Sequence, residues 1–173
     1  MGLILKCKCK KCGYTFKAFV GIDMMYPKTY TETVNKMKEG QFGLQGKEFF
    51  EAFPQGAISC EEIVVQCDDC GELMNVPDLS LYVPEGKIDN TKIERKIPWS
   101  SGFSGVGYEY VTLSELDKHY TLYERYSHRC SRCNGHTSVV PGFSERMNKN
   151  IDRHVKCPEC GSIMEIAIEG VWD

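Results

Sequence analysis

The sequence predicts an α+β fold of two small β-hairpin modules, each closed by a metal ion, with a helical insert inside the first. Three observations predict it. Four cysteine pairs share the spacing C-x-x-C: Cys9 with Cys12, Cys67 with Cys70, Cys130 with Cys133, and Cys157 with Cys160. Apolar and polar residues alternate on segments flanking those pairs, which is the period of half-buried strands. Between the first and second pairs, Tyr30, Val34 and Met37 recur at helical spacing instead.

The chain opens on a strand with Leu3, Leu5 and Cys7 on one face and Lys6, Lys8 and Lys10 on the other. Cys12-Gly13 turns it, because glycine accepts the backbone angles of a knuckle whose main-chain N–H groups point at cysteine sulfurs. Tyr14, Phe16, Ala18 and Val20 form the returning strand. A helix follows, capped by Thr29 or Thr31 and ended by Gly40. A second helix at 47–53 docks Phe49, Phe50 and Phe53 onto the ribbon, and Pro54 stops it. Residues 62–66 and 72–76 flank the second knuckle as another hairpin. Pro84, Gly86, Pro98, Gly102, Gly105 and Gly107 give residues 83–108 the composition of a linker or exposed loop, with Trp99 and Phe103 as tethering hydrophobes. A helix capped at Ser114 then covers 115–119. Strands at 120–129, 137–140, 155–157 and 162–168 build a ribbon around the last two knuckles. In the third knuckle Asn134 replaces the usual glycine, being the next residue most tolerant of a left-handed backbone.

Two C-x-x-C pairs supply the four soft ligands of a closed tetrahedral zinc site. The expected ligands are Cys9, Cys12, Cys67, Cys70, Cys130, Cys133, Cys157 and Cys160, holding two zinc ions. Only residues 134–156 separate the last two pairs, so nearest neighbours are expected to share an ion. That pairing defines a zinc-ribbon (β-hairpin and knuckle) module with a helical insert at 1–84, a linker at 85–111 and a second zinc-ribbon module at 112–173. Four thiolates leave no coordination position for water, so such sites fold the chain rather than catalyse. Cys7 and Cys60 read as small buried hydrophobes. With four thiols available per ion, His119, His128, His136 and His154 read as core or surface side chains.

The net charge of −3 gives no global case for a polyanion partner. Basic residues cluster locally, at Lys6, Lys8, Lys10, Lys11 and Lys17 and again around the third and fourth pairs. Neutralising the −2 charge of a four-thiolate zinc accounts for both clusters. No apolar run approaches the roughly 20 residues needed to span a bilayer. The first apolar stretch precedes its charges, the reverse of a secretory signal, so a reducing bacterial or archaeal cytoplasm is expected. The signatures G-x-S-x-G, G-x-x-x-x-G-K-[ST] and H-x-E before P-C-x-x-C are absent, and a non-enzymatic protein is expected.

Cys9-Lys10-Lys11-Cys12-Gly13-Tyr14 and Cys157-Pro158-Glu159-Cys160-Gly161 each resemble one half of a rubredoxin, which implies iron-based electron transfer as an alternative. Chain-order pairing departs from that resemblance by spreading the halves over two modules. Together with Met25-Tyr26-Pro27, Gly40-Gln41-Phe42-Gly43 and Pro77-Asp78-Leu79-Ser80-Leu81-Tyr82, the four pairs resemble an uncharacterised family of bacterial zinc-ribbon proteins. The resemblance implies the ribbons and no activity. Zinc ribbons in general serve transcription, translation and nucleic-acid processing, so an adaptor for a macromolecular partner is expected. For nucleic acid, Arg125, Arg129, Arg132, Lys149, Arg153 and Lys156 would meet phosphates, and Tyr123, Tyr126 or Phe143 would stack on bases. For protein, the surface would be Glu61, Glu62, Asp68, Asp69 and Glu72. An enzyme with a site between the modules is the remaining alternative.

Overall fold

A computed structural model describes residues 2–86, 108–143 and 154–172. In chain order these form β1 (Gly2–Lys8), β2 (Thr15–Val20), α1 (Tyr26–Lys38), α2 (Leu44–Ala52), β3 (Ala57–Ile58), β4 (Glu62–Cys67), β5 (Leu73–Pro77), β6 (Leu81–Pro84), α3 (Leu113–His119), β7 (Tyr120–Glu124), β8 (Thr137–Val139) and β9 (Glu165–Trp172). The fold is mixed α+β, with three small antiparallel sheets among the described residues. No helix among them is long and apolar enough to cross a membrane.

The chain divides into two compact units, each assembled from separated stretches rather than from 1–84 and 112–173. The first comprises Met1–Met24, Glu61–Asp78 and Tyr126–Asp173. Its sheets are β2-β1-β9 and β5-β4-β8. The expected alternation of β1 is present: Leu5 and Cys7 are fully buried while Lys6 and Lys8 face outward. Ala18 pairs with Leu5 and Phe16 with Cys7, which puts the apolar faces of both hairpin arms on one side. They meet Val64, Leu73, Val140, Phe143, Val155 and Met164 in one core. Each such buried side chain contributes on the order of 1.5–3 kcal/mol.

That sheet corrects one expectation. The last strand pairs with β1, Cys7 opposite Ile166 and Leu5 opposite Ile168, and β8 pairs with β4 instead of with β9. The carboxy-terminal segments therefore complete sheets begun at the amino-terminal side and form no ribbon of their own. The expected linker at 85–111 lies mostly outside the described residues, as do Trp99 and Phe103.

The second unit comprises Met25–Cys60 and Leu79–Arg125. Helix α1 begins before either threonine, with Met25 at its N-cap and Pro27 in the first turn, where a missing N–H costs nothing. Thr31 lies inside it and its hydroxyl donates to the Pro27 carbonyl, 3.0 Å. Tyr30, Thr33 and Met37 are its buried stripe, Lys36 and Lys38 sit in the last turn, and Gly40 follows at φ +77°. On α2, Gly46 is buried where any Cβ would lie 2.7 Å from the Met37 methyl, so only glycine allows the two helices this approach. Phe49 and Phe50 belong to this unit and not to the unit of the amino-terminal ribbon, onto which they were expected to dock. Phe49 packs within this unit against Phe50, Phe53 and Tyr123, with ring centroids 5.1–5.6 Å apart. The third sheet runs β3-β6-β7, and Ala57, Tyr82, Leu116 and Tyr120 share a core.

The cap of α3 is Thr112, two residues before Ser114. Its hydroxyl accepts from the Glu115 N–H at 3.2 Å and the Glu115 carboxylate accepts from the Thr112 N–H at 2.7 Å, a complete capping box. Thr112→Ala is expected to lower stability by about 1 kcal/mol in denaturant unfolding and to leave the metal content unchanged.

Candidate metal centres

Each C-x-x-C turn is built the same way. In every one the N–H of the residue after the second cysteine donates to the carbonyl of the first, from Gly13, Gly71, Asn134 and Gly161, at 2.8–3.0 Å. The N–H of the first cysteine in turn donates to the next residue but one beyond the second, namely Tyr14, Glu72, Gly135 and Ser162, at 2.8–3.0 Å. The pivot residue has φ between +61° and +81° in all four. Asn134 adopts the left-handed conformation that its sequence position implies. Such a turn leaves two sulfurs pointing the same way, and amide hydrogens aim at them: Cys70 N–H at Cys67 Sγ and Arg132 N–H at Cys130 Sγ, both 3.4 Å.

The eight thiols form two groups. Cys9, Cys12, Cys157 and Cys160 make one and Cys67, Cys70, Cys130 and Cys133 the other, with every ligand atom of a group within 4.8 Å of the rest. The first turn thus joins the fourth and the second joins the third, which corrects the expectation of chain-order pairing. Facing sulfurs lie 3.4–3.6 Å apart, Cys9 to Cys160, Cys12 to Cys157, Cys67 to Cys133 and Cys70 to Cys130. A tetrahedral ion with bonds of about 2.3 Å requires edges of about 3.8 Å, so a small outward adjustment fits one into each group. A disulfide needs about 2.05 Å, and all ten cysteines are free.

The sulfurs within a group differ in acidity. Hydrogen bonds from the Ser162 hydroxyl and N–H lower Cys160 to about 6, and the Cys70 N–H leads the influences that lower Cys67 to about 7. The Tyr14 N–H acts to lower Cys12, but burial and hydrogen bonding to Cys157, Cys9 and Cys160 push it up to about 12. Cys133 is likewise raised to about 12, the Gly135 N–H being outweighed by bonds to Cys67 and Cys70 and by burial. The four thiols of a group titrate as a set, so a metal-free group still holds protons at neutral pH. Loading an ion expels those protons, so affinity falls as pH falls.

The remaining expected residues divide. Cys7 and Cys60 are buried as read, and His119, His136 and His154 are exposed. His128 is half-buried, with Nε2 3.3 Å from the Asp78 carbonyl. Three of the amino-terminal lysines pair with carboxylates on β9, Lys6 and Lys17 with Glu169 and Lys10 with Glu165. Sequence reading missed these glutamates, although their alternation with Ile166 and Ile168 marked them as the outer face of a strand. Arg129 and Lys156 are exposed, Arg132 pairs with Glu72 at 3.4 Å, and Arg125 belongs to the other unit. Lys149 and Arg153 lie outside the described residues. Phe143 is fully buried and unavailable for stacking, and Tyr123, though 54 % exposed, packs on Phe49 and Phe53. Glu61 is 1 % exposed and belongs to no docking surface, unlike exposed Asp68 and Asp69. Also missed was Gln66, whose side chain reaches backbone beside both groups.

No protein-family model, curated protein or solved structure matches the chain.

Paired substitutions test the grouping directly. Cys12→Ser/Cys160→Ser is expected to cost one bound ion per chain, and Cys12→Ser/Cys70→Ser both, as measured by elemental analysis of purified protein. Chain-order pairing demands the reverse.

Proposed function

We propose that the chain is a non-enzymatic zinc protein, in which two structural four-cysteine ions close zinc-ribbon-like hairpins that serve as an adaptor for a macromolecular partner. The convergence of eight thiols into two four-sulfur groups carries this reading. Soft thiolates select zinc among the common divalent ions, and a site closed by four of them holds no position for substrate or water. Zinc binding in small modules is worth roughly 10–16 kcal/mol, comparable to the whole stability of a domain. Thiols kept as ligands need a reducing compartment such as the cytoplasm.

Charge favours a protein partner over nucleic acid. The net charge is −3, three of the amino-terminal lysines are paired with β9 glutamates, and Arg132 is paired with Glu72. The exposed Asp68 and Asp69 of the second turn offer an acidic surface to a basic protein segment.

A second reading is favoured at the first centre alone. Its two turns, Cys9 to Tyr14 and Cys157 to Gly161, are the two that resemble rubredoxin halves, and the fold brings them together. Iron there would make that centre an electron carrier.

Native mass spectrometry is expected to show two zinc ions per chain, both lost with the folded charge-state envelope on chelation. A visible chromophore with iron in the elemental analysis would assign the first centre to electron transfer. The adaptor is expected not to be retained on heparin at low salt. Retention with a steep salt dependence would identify nucleic acid as the partner instead.

A further inference from the structure

We infer that the two four-cysteine centres are thermodynamically coupled, filling either one tightening the other, and that Gln66 is the positioning residue that links them. This rests on reading both groups as metal centres. Gln66 is half-buried on β4, immediately before Cys67. Its amide nitrogen donates to two backbone carbonyls, Gly71 and Lys156, each at 2.9 Å. Gly71 directly follows Cys70 of the second centre, and Lys156 directly precedes Cys157 of the first. Both hydrogens of one amide therefore tie the second turn to the segment that enters the fourth.

Two further contacts make the same connection. The Cβ direction of Gly71 points at Pro158, with a Cβ position 3.5 Å from the Pro158 Cα, so the second and fourth turns lie in contact. Cys9 and Cys157 of the first centre pack in one core with Val64 and Leu73, which flank the second turn on β4 and β5. A metal at either centre must hold its turns in one geometry, and the order of these shared walls is then established before the other ion arrives. Coupling of this kind is reciprocal, each ion raising the affinity of the other by the same factor.

Affinity measurements by chelator competition, using zinc and reduced metal-free protein, test the coupling. The second centre is disabled with Cys70→Ser/Cys133→Ser, and the first with Cys12→Ser/Cys160→Ser. In each case the remaining centre is expected to bind about tenfold more weakly than in the parent chain. Gln66→Met keeps the length of the side chain and removes both donors. It is expected to weaken zinc binding in the parent chain by a similar factor but to change the disabled chains little. A merely structural role would weaken zinc binding in all backgrounds alike. In the parent chain at one equivalent, a tenfold coupling of similar sites leaves about a quarter of molecules with a single ion, against about half for independent filling.

Unchanged affinity of each centre when the other is disabled overturns the coupling while leaving two metal centres standing. Equal losses from Gln66→Met in every background overturn the role of Gln66. Failure of the parent chain to bind zinc overturns the metal reading itself.

Discussion

A C-x-x-C turn presents two sulfurs and can never present four, and the first unit is organised by that shortfall. Four turns of one design must find two partners, and strand pairing selects them. β1 and β9 share a ladder from Gly2 opposite Trp172 to Lys8 opposite Glu165, which delivers the first and fourth turns side by side. β4 and β8 align Cys67 with Thr137 and do the same for the second and third. The result is nested, with the inner centre formed inside the loop that the outer one closes. Loop length opposes this arrangement only weakly, because closure entropy grows as the logarithm of length. Closing the longer loops in place of the nearest-neighbour ones costs roughly 2 kcal/mol, less than burying two apolar side chains recovers.

That comparison explains where the sequence was legible. Local chemistry was: the alternation of Leu3, Leu5 and Cys7, the left-handed pivot at Asn134, the hairpin around Cys67 and the burial of Cys7 and Cys60 all follow from residue type and period. Partner choice among four equivalent turns was not, because nothing within a turn encodes which other turn it faces. Information of that kind resides in strand-to-strand complementarity, such as Leu5 with Ile168, at a separation no local rule covers. Capping failed by a smaller margin. Ser114 is as good a cap as Thr112 by type, and only the reciprocal Glu115 bond distinguishes them. Side chains such as Gln66 left no signal at all, since a glutamine on a strand reads as surface until the carbonyls that it joins are known.

Charge follows the same division between local pattern and distant partner. Lys6, Lys10 and Lys17 form a basic stripe in the sequence and a partly neutralised one in the fold, because β9 lays Glu165 and Glu169 across them. Exposed pairs of this sort contribute little stability, about 0–1 kcal/mol each. Their effect is to weaken the positive field that would attract a polyanion. The thiolate charge is met instead by main-chain N–H groups within the turns, where the left-handed pivot orients them.

The two units answer the problem of small size differently. The second draws on ordinary means, with a capping box on α3, a buried helix contact at Gly46, and the ring cluster of Phe49, Phe50, Phe53 and Tyr123. The first has no helix among its described residues and places four cysteines, Cys9, Cys67, Cys130 and Cys157, at buried positions where hydrophobic side chains would otherwise stand. The second unit is threaded through the first as two insertions, 25–60 and 79–125, separated by the hairpin of β4 and β5 that carries Cys67 and Cys70. The first of its halves therefore ends just before β4 and the second begins just after β5, the strands whose turn belongs to the inner centre.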